Sequence, residues 1–214
     1  MSTDATLTFY HAPNSRSTGV RILLDELGAD YRLVALNAKA GEHRKPAYMA
    51  VNPMGKVPAI VHDGALVTEQ GAIYLYLADC FPAAGLAPSI GDPLRGPYLR
   101  WLFFYGSAFE PALVDRAMQR DAGGVAMSPY GSFDTMMGTL VAQLGHGPFL
   151  LGERFTAADV LWGTALVGWM RFKLVPEQPD IAGYVERVGA RPSMARVRAL
   201  DDALAATQAA AGRV

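Results

Sequence analysis

The 214-residue sequence predicts a small α/β domain followed by an all-α domain. Three observations predict it. Residues 5–81 spell strand, helix, strand and then strand, strand, helix. A Pro- and Gly-rich tract, "PAAGLAPSIGDP" at 82–93, then interrupts the pattern. Beyond it no convincing strand follows, and apolar residues recur at helical spacing. The expected boundaries are 1–82 for the first domain, 83–92 for a linker and 93–214 for the helical domain.

Each element follows from a local signal. Leu7 to His11 is β-rich and is broken by Pro13-Asn14-Ser15. In "STGVRILLDELG", Val20, Leu23, Leu24 and Leu27 fall at helical spacing, and Gly28 is the expected stop. "DYRLVAL" (Asp30 to Leu36) reads as a second strand. Strand, helix, strand favours a parallel pair joined by a right-handed crossover. Residues 37–50 are polar and loop-like, with one helical turn near Ala47. "AIVH" and "ALVT" flank Asp63-Gly64, a two-residue connection suited to a type I′ hairpin turn. "EQGAIYLYLADCF" reads as a helix that Pro82 ends. These elements assemble into a four-stranded mixed sheet with helices packed on it.

In the second half, "LRGPYLRWLFFYGSAFEPALVDRAM" is one long helical region with a bend near Gly106 or Pro111. "SFDTMMGTLVAQLG" places Phe133, Met136, Met137, Leu140, Val141 and Leu144 on one face. "FTAADVLWGTALVGWM" opens with Thr156 and Asp159 in capping-box spacing, and Phe155 can staple onto Val160 across that cap. It is apolar nearly all round, as expected of the buried centre of this half. Two further helices are expected at about 179–189 and 192–209, the last fraying through "ALAATQAAAGRV".

Composition narrows the partners. Apolar residues make up 51% and charged residues 18%, which excludes a disordered chain. A net charge of -1 without a Lys/Arg block argues against nucleic acid or an anionic membrane as main partner. Cys80 is the one cysteine, so no internal disulfide forms, which fits a reducing compartment. The N-terminus lacks a basic-then-apolar leader, and no apolar run approaches the length of a membrane span. The expected location is cytoplasmic.

Several chemistries fail on spacing. Gly55-Lys56 resembles the tail of a phosphate-binding loop, but Ala50 stands where the first Gly belongs and Val57 where a hydroxyl is required. The loop after the first strand reads "HAPNSRST", without the Cys-x-x-Cys of a redox site. His11, His43, His62 and His146 are scattered away from zinc spacing, so no metal is expected, and no Gly-x-Ser-x-Gly elbow exists. What remains is polar groups at two helix starts. Asn14, Ser15, Ser17 and Thr18 crowd the first helix, where they either cap free N–H groups or stabilise a bound anion. Glu69 favours the dipole of its helix. It also suits a zwitterionic amino-acid ligand, taking the ammonium while N–H groups near Gln70 take the carboxylate. Pro58 is tolerable as a strand-opening residue.

Together, "NPMGKVPAIV", the hairpin "HDG", "TEQGAI", the linker and "FTAADV" resemble, in order and spacing, the cytosolic glutathione transferase family over nearly the whole chain. The resemblance implies an α/β thioredoxin-like N-terminal domain (βαβ-α-ββα) plus an all-α C-terminal domain, glutathione as co-substrate, and a homodimer. Val57-Pro58 resembles the family's Val-cisPro, whose valine backbone pairs with the cysteinyl unit. Glu69-Gln70 stands where the family has Glu-Ser or Asp-Ser at the γ-glutamyl end, and Gln70 keeps the backbone N–H while losing the hydroxyl. His43 resembles the histidine that reaches the glycine carboxylate in plant-type and theta-type members, with Arg44 and Lys56 as second cations. For the thiol activator, Ser15 falls near the serine of theta-like and phi-like classes and Asn14 where zeta-like members keep theirs. Tyr10 falls at the tyrosine-type position, Ser17 is a further candidate, and Arg16 replaces the cysteine of beta-type members. The implied activity is glutathione transfer, with the thiolate attacking a small apolar electrophile. The alternatives are glutathione-dependent disulfide or peroxide reduction and a non-catalytic ligand-binding module on the same fold. The helical domain is expected to carry the second-substrate site beside Tyr98, Trp101, Phe104, Tyr105 or Trp169, against core packing for each.

Overall fold

The computed structural model describes residues 7–211. Strands β1 (Thr8–His11) and β2 (Arg32–Ala35) pair in parallel, Thr8 opposite Arg32, and helix α1 (Ser17–Leu27) is the crossover between them. α1 ends where expected, at Gly28 in the left-handed conformation. A 3₁₀ turn (Glu42–Arg44) and the single-turn helix α2 (Pro46–Met49) occupy the polar stretch that follows. Strands β3 (Ala59–His62) and β4 (Ala65–Val67) form the predicted hairpin. Asp63 and Gly64 both take positive φ, 49° and 82°, as a type I′ turn requires. The sheet order is β2-β1-β3-β4, with β3 antiparallel to both neighbours. Helix α3 (Gln70–Cys80) closes this thioredoxin-like layer.

Alternation along β1 decides what each face carries. Phe9 and His11 are completely buried, whereas Tyr10 packs on the Tyr48 ring of α2 at 5.5 Å, in a cluster with Leu36 and Ala59. The fold therefore places a histidine, not an aliphatic residue, at the inner end of β1.

The helical half contains α4 (Arg95–Phe104), α5 (Glu110–Ala117), α6 (Phe133–Leu144), α7 (Ala157–Arg171) and α8 (Pro179–Gly189). The predicted bend between α4 and α5 is a π-helical turn, Tyr105–Phe109, containing Gly106, and Pro111, which has no N–H to give, follows directly after it at the start of α5. The core gathers around Trp162 of α7: Phe109 lies at 4.7 Å, Trp101 at 5.5 Å and Tyr105 at 5.8 Å between ring centroids. Trp162 Nε1 donates to the Trp101 carbonyl at 2.9 Å, so the buried indole is satisfied. The capping box forms as predicted, with the Thr156 N–H donating to Asp159 Oδ2 at 2.8 Å. A Cβ on Gly163 would fall 2.4 Å from Val188 Cγ1, so α7 and α8 approach as closely as they do because residue 163 has no side chain. Tyr98, Trp101 and Tyr105, expected among the second-substrate aromatics, are core residues, while Phe104 and Trp169 keep partial exposure. Core packing claims the first three because their rings fill space between helices.

A last helix, α9 (Pro192–Ala211), runs through the Ala-rich end, whose final three residues lie outside the described ones, as do residues 1–6 of the N-terminus. Two compact units result. One joins the described residues through Ala84 to those from Arg191, and the other spans Gly85–Ala190. This differs from the expected helical domain of 93–214, because α9 packs on α1. Arg191 donates to Glu26 from both Nε (2.8 Å) and Nη2, and Arg196 Nε donates to Asp25 at 2.9 Å. Among the described residues no helix is long and apolar enough to cross a membrane.

Candidate functional site

Four segments of the first unit converge at the end of the sheet where β1 stops and β3 begins. Continuing the antiparallel register in which Tyr10 faces Ala59 sets Val57 opposite Ala12, at the start of the loop leading to α1. The Val57-Pro58 bond is cis, as the resemblance implied. Tyr48 Oη and Asn52 Nδ2 both donate to the carbonyl of Lys56, the latter at 2.9 Å. In a trans peptide the N–H points away from the preceding C=O. Fixing that carbonyl therefore turns the Val57 N–H toward the opposite side. Among the described residues neither backbone group of Val57 has a partner. An unpaired N–H and C=O on one residue is the edge that an extended peptide uses.

The segment before it is knotted by its own side chains. Asn52 Oδ1 accepts from the Met54 N–H at 3.1 Å. Gly55 has φ 58°, and a Cβ there would stand 2.8 Å from Met49 Sδ and 2.9 Å from the His43 carbonyl. Only glycine meets both demands, so Gly55 lets the His43–Arg44 turn pack on the segment that leads into Val57. His43 Nδ1 is buried without a partner among the described residues. The Lys56 ammonium is exposed and has no partner among the described residues.

At the start of α3, Glu69 takes φ 64° and ψ 126°, a conformation costly for a residue with a side chain. Its exposed carboxylate makes no cap to its own helix and has no partner among the described residues. Gln70 Nε2 donates to the Arg16 carbonyl at 3.4 Å, which ties this helix start to the loop after β1. Gln70 Oε1 is buried and has no partner among the described residues.

The loop itself separates the four activator candidates. Asn14 is exposed, with φ 57° and no partner among the described residues. Tyr10 points into the Tyr48 cluster. Ser15 is partly exposed; its hydroxyl lies 2.7 Å from the Ala12 carbonyl and 2.7 Å from Ser17 Oγ, and accepts from the Ser17 N–H at 3.2 Å. Ser17 is completely buried. Behind it stand His11, whose Nδ1 is 2.8 Å from Ser17 Oγ, and Asp201 of α9, whose Oδ1 is 3.1 Å from His11 Nε2. Burial alone would raise the Asp201 carboxyl, but hydrogen bonds from His11, Thr18 and Arg21 outweigh it and hold the group below its usual range.

Asp201 is the residue that reading the sequence missed. A signal existed: Met194, Val197 and Asp201 share one helical stripe, and all three are buried. An acid on an apolar stripe asks for a partner. No local spacing says that the partner lies in β1. His62, by contrast, is an ordinary hydrogen-bonded histidine, Nδ1 to Tyr76 Oη at 2.9 Å. No group of metal-ligating side chains occurs among the described residues.

Residues 5–79 match the family model described as glutathione S-transferase, N-terminal domain. A disulfide-bond oxidoreductase, YfcG, of Escherichia coli (strain K12) is 27% identical over 201 residues, covering 87% of this chain and 92% of its own. The glutathione S-transferase GstA of Escherichia coli O157:H7 is 28% identical over 88% of this chain and 95% of its own. Among solved structures, a sphingomonad glutathione S-transferase complexed with glutathione superposes with a TM-score of 0.75 at 29% identity, covering 91% of this chain and 98% of that one.

Proposed function

We propose that the chain is a member of the cytosolic glutathione transferase family and that within it the protein is a glutathione transferase whose Ser15 hydroxyl holds the thiol of glutathione as a thiolate for attack on a small apolar electrophile. The observation that carries this reading is Ser15 itself. Its hydroxyl is partly exposed at the start of α1, beside the register position of the unpaired Val57 backbone.

The tripeptide has a group for each of its ends. The γ-glutamyl ammonium pairs with Glu69, and its carboxylate takes free N–H groups at the start of α3 near Gln70. The cysteinyl backbone pairs with Val57. The glycine carboxylate takes the unpartnered His43, with Lys56 and Arg44 as further cations. The electrostatic demand is modest. A free thiol titrates at about 8.5, and lowering it by about two units takes roughly 2.7 kcal/mol. A hydrogen bond to an anion contributes about 1.5–3 kcal/mol and a helix N-terminus about 0.3–1. The further elements of the proposal are a homodimer in the cytoplasm, with no metal, nucleic acid or membrane in its action.

Ser15→Ala tests the assignment. Conjugation of an aryl halide should fall by at least about tenfold, the loss of one such hydrogen bond, while glutathione still binds. Unchanged turnover removes Ser15 as activator, and Asn14 is then the next candidate.

A second reading has its own support in the E. coli relative named as a disulfide-bond oxidoreductase, which aligns over most of the chain. The same thiolate would then attack a disulfide sulfur, forming a mixed disulfide that a second glutathione resolves. Turnover of a hydroxyethyl disulfide set against an aryl halide separates the two. Retention on immobilised glutathione with neither turnover points to a non-catalytic binding module.

A further inference from the structure

Behind Ser15 runs a polar chain that glutathione binding leaves unused. Ser17, His11 and Asp201 stand in the order of a hydrolase triad, at 2.8 and 3.1 Å. Ser17 and His11 are completely buried, so no substrate reaches that serine. The Ser17 hydroxyl meets the Ala12 N–H (3.1 Å), the Ala12 carbonyl (3.0 Å), His11 and Ser15. Of these, Ser15 alone is partly exposed.

Counting hydrogens gives the chain two settings. Asp201 is an acceptor, so His11 Nε2 carries a hydrogen in both. In the first, His11 Nδ1 accepts the Ser17 hydrogen. Ser17 then accepts from the Ala12 N–H and from Ser15, and the single Ser15 hydrogen points inward. In the second, His11 Nδ1 is protonated and donates to Ser17. The two acceptor sites of Ser17 are now filled by His11 and Ala12, so its own hydrogen turns to Ser15. Ser15 already accepts from the Ser17 N–H at 3.2 Å. With both of its acceptor sites occupied, its hydrogen is no longer needed by Ser17 and is shared between the Ala12 carbonyl, 2.7 Å away, and an incoming thiolate. Only the second setting frees a Ser15 donor for a thiolate, with the Ser17 hydroxyl still 3.0 Å from the Ala12 carbonyl.

We propose, resting on the reading of Ser15 above, that Ser17, His11 and Asp201 form a buried relay that takes up the thiol proton and thereby frees the Ser15 hydroxyl to donate to the thiolate. The thiol proton passes to Ser15 as the Ser15 proton passes to Ser17 and the Ser17 proton to His11 Nδ1. One S–H bond breaks, one N–H bond forms on His11, and each serine ends with one hydrogen. The products are a thiolate and an imidazolium, so charge is conserved. After the sulfur has reacted, the proton returns along the same chain to solvent. The three residues touch no substrate and are positioning residues. Asp201 stabilises the imidazolium. Arg21, 2.8 Å from the same carboxylate oxygen, opposes it, with Thr18 on the other oxygen, Tyr31 beside Arg21, and the Phe9 ring 5.4 Å from the imidazole.

The test follows the ultraviolet absorbance of bound thiolate against pH, at saturating glutathione, in the full-length protein. Ser17→Ala should raise the apparent pKa of the bound thiol by at least about one unit, a tenfold loss of thiolate below it, while the glutathione Kd measured at a pH well below the bound pKa, where the thiol binds protonated, stays within about twofold. Asp201→Asn should act in the same direction. Nitrogen NMR of the wild-type imidazole needs no variant: glutathione should convert His11 Nδ1 from acceptor to protonated. An unchanged Nδ1, or a folded Ser17→Ala protein with the wild-type titration, overturns the relay. Wild-type protein that binds glutathione without forming thiolate overturns the Ser15 reading and the relay with it. A thiolate signal that Ser15→Ala abolishes and Ser17→Ala preserves overturns the relay alone.

Discussion

At the scale of single residues, the site is a set of groups whose own needs the fold leaves unmet. Glu69 is the sharpest case, because its backbone holds φ 64° and ψ 126° while its carboxylate serves no partner among the described residues. Such a conformation costs about 1–3 kcal/mol and persists where the surroundings impose it. Stability and binding should therefore separate on substitution. Glu69→Ala should weaken glutathione binding by roughly tenfold or more, since a charge-assisted contact contributes about 1.5–3 kcal/mol. Glu69→Gly should weaken binding to a similar degree yet raise the thermal midpoint, because glycine tolerates that φ. Calorimetric binding and thermal unfolding of the two variants check this, and an unaltered Kd removes Glu69 from the site. These residues were legible in the sequence where a motif marked them: Val57-Pro58 by its resemblance to the family's Val-cisPro, Glu69 by its place at a helix start. The Ser17–His11–Asp201 chain was not, because His11 and Asp201 are 190 positions apart and a lone histidine in a strand carries no sign of what faces it.

At the scale of elements, periodicity and punctuation were strong enough to be read directly. Asp63-Gly64 specified the hairpin, Gly28 the end of α1, and Thr156 with Asp159 the start of α7. The bend expected near Gly106 is a π turn, which spacing alone does not distinguish from a proline kink. Packing faces were less legible. Tyr98, Trp101 and Tyr105 have the composition of a ligand wall and the burial of a core. Gly163 shows why. Within an apolar helix it looks like a weak point, whereas its missing side chain admits Val188. Gly163→Ala should destabilise the protein by about 1–3 kcal/mol despite the better helix propensity of alanine. Val188→Ala should cost stability alone and restore most of it in the double variant, because the clashing methyls are gone. A thermal double-mutant cycle reads the coupling, and additive losses would show that the contact is not the cause.

At the scale of the whole chain, the first unit is built from both ends of the sequence, and carboxylates hold the seam. Glu26 meets Arg191 and Ser193, Asp25 meets Arg196, and Asp201 meets Arg21, Thr18 and His11. Sequence periodicity predicted α9 but carried no statement of which surface it covers, since α9 is joined to the helical half by chain connection and to α1 by charge. Asp25–Arg196 is largely solvated and contributes little. Glu26 and Asp201 differ. Burial tends to raise each carboxyl, and the donated hydrogen bonds, from Arg191 and Ser193 for Glu26, outweigh it and lower both. A carboxyl lowered in the folded state binds fewer protons there than in the unfolded chain. Its contribution is therefore full above the unfolded value of about 4 and is lost as pH falls through the lower folded value. The thermal midpoint should fall steeply with acid in that window. Glu26→Gln and Asp201→Asn should lower the midpoint at neutral pH and leave it nearly unchanged at the acid end, so that variant and parent curves converge. Parallel curves, offset equally at every pH, would mean that these carboxylates act through packing and not through charge, and that acid opens the protein elsewhere.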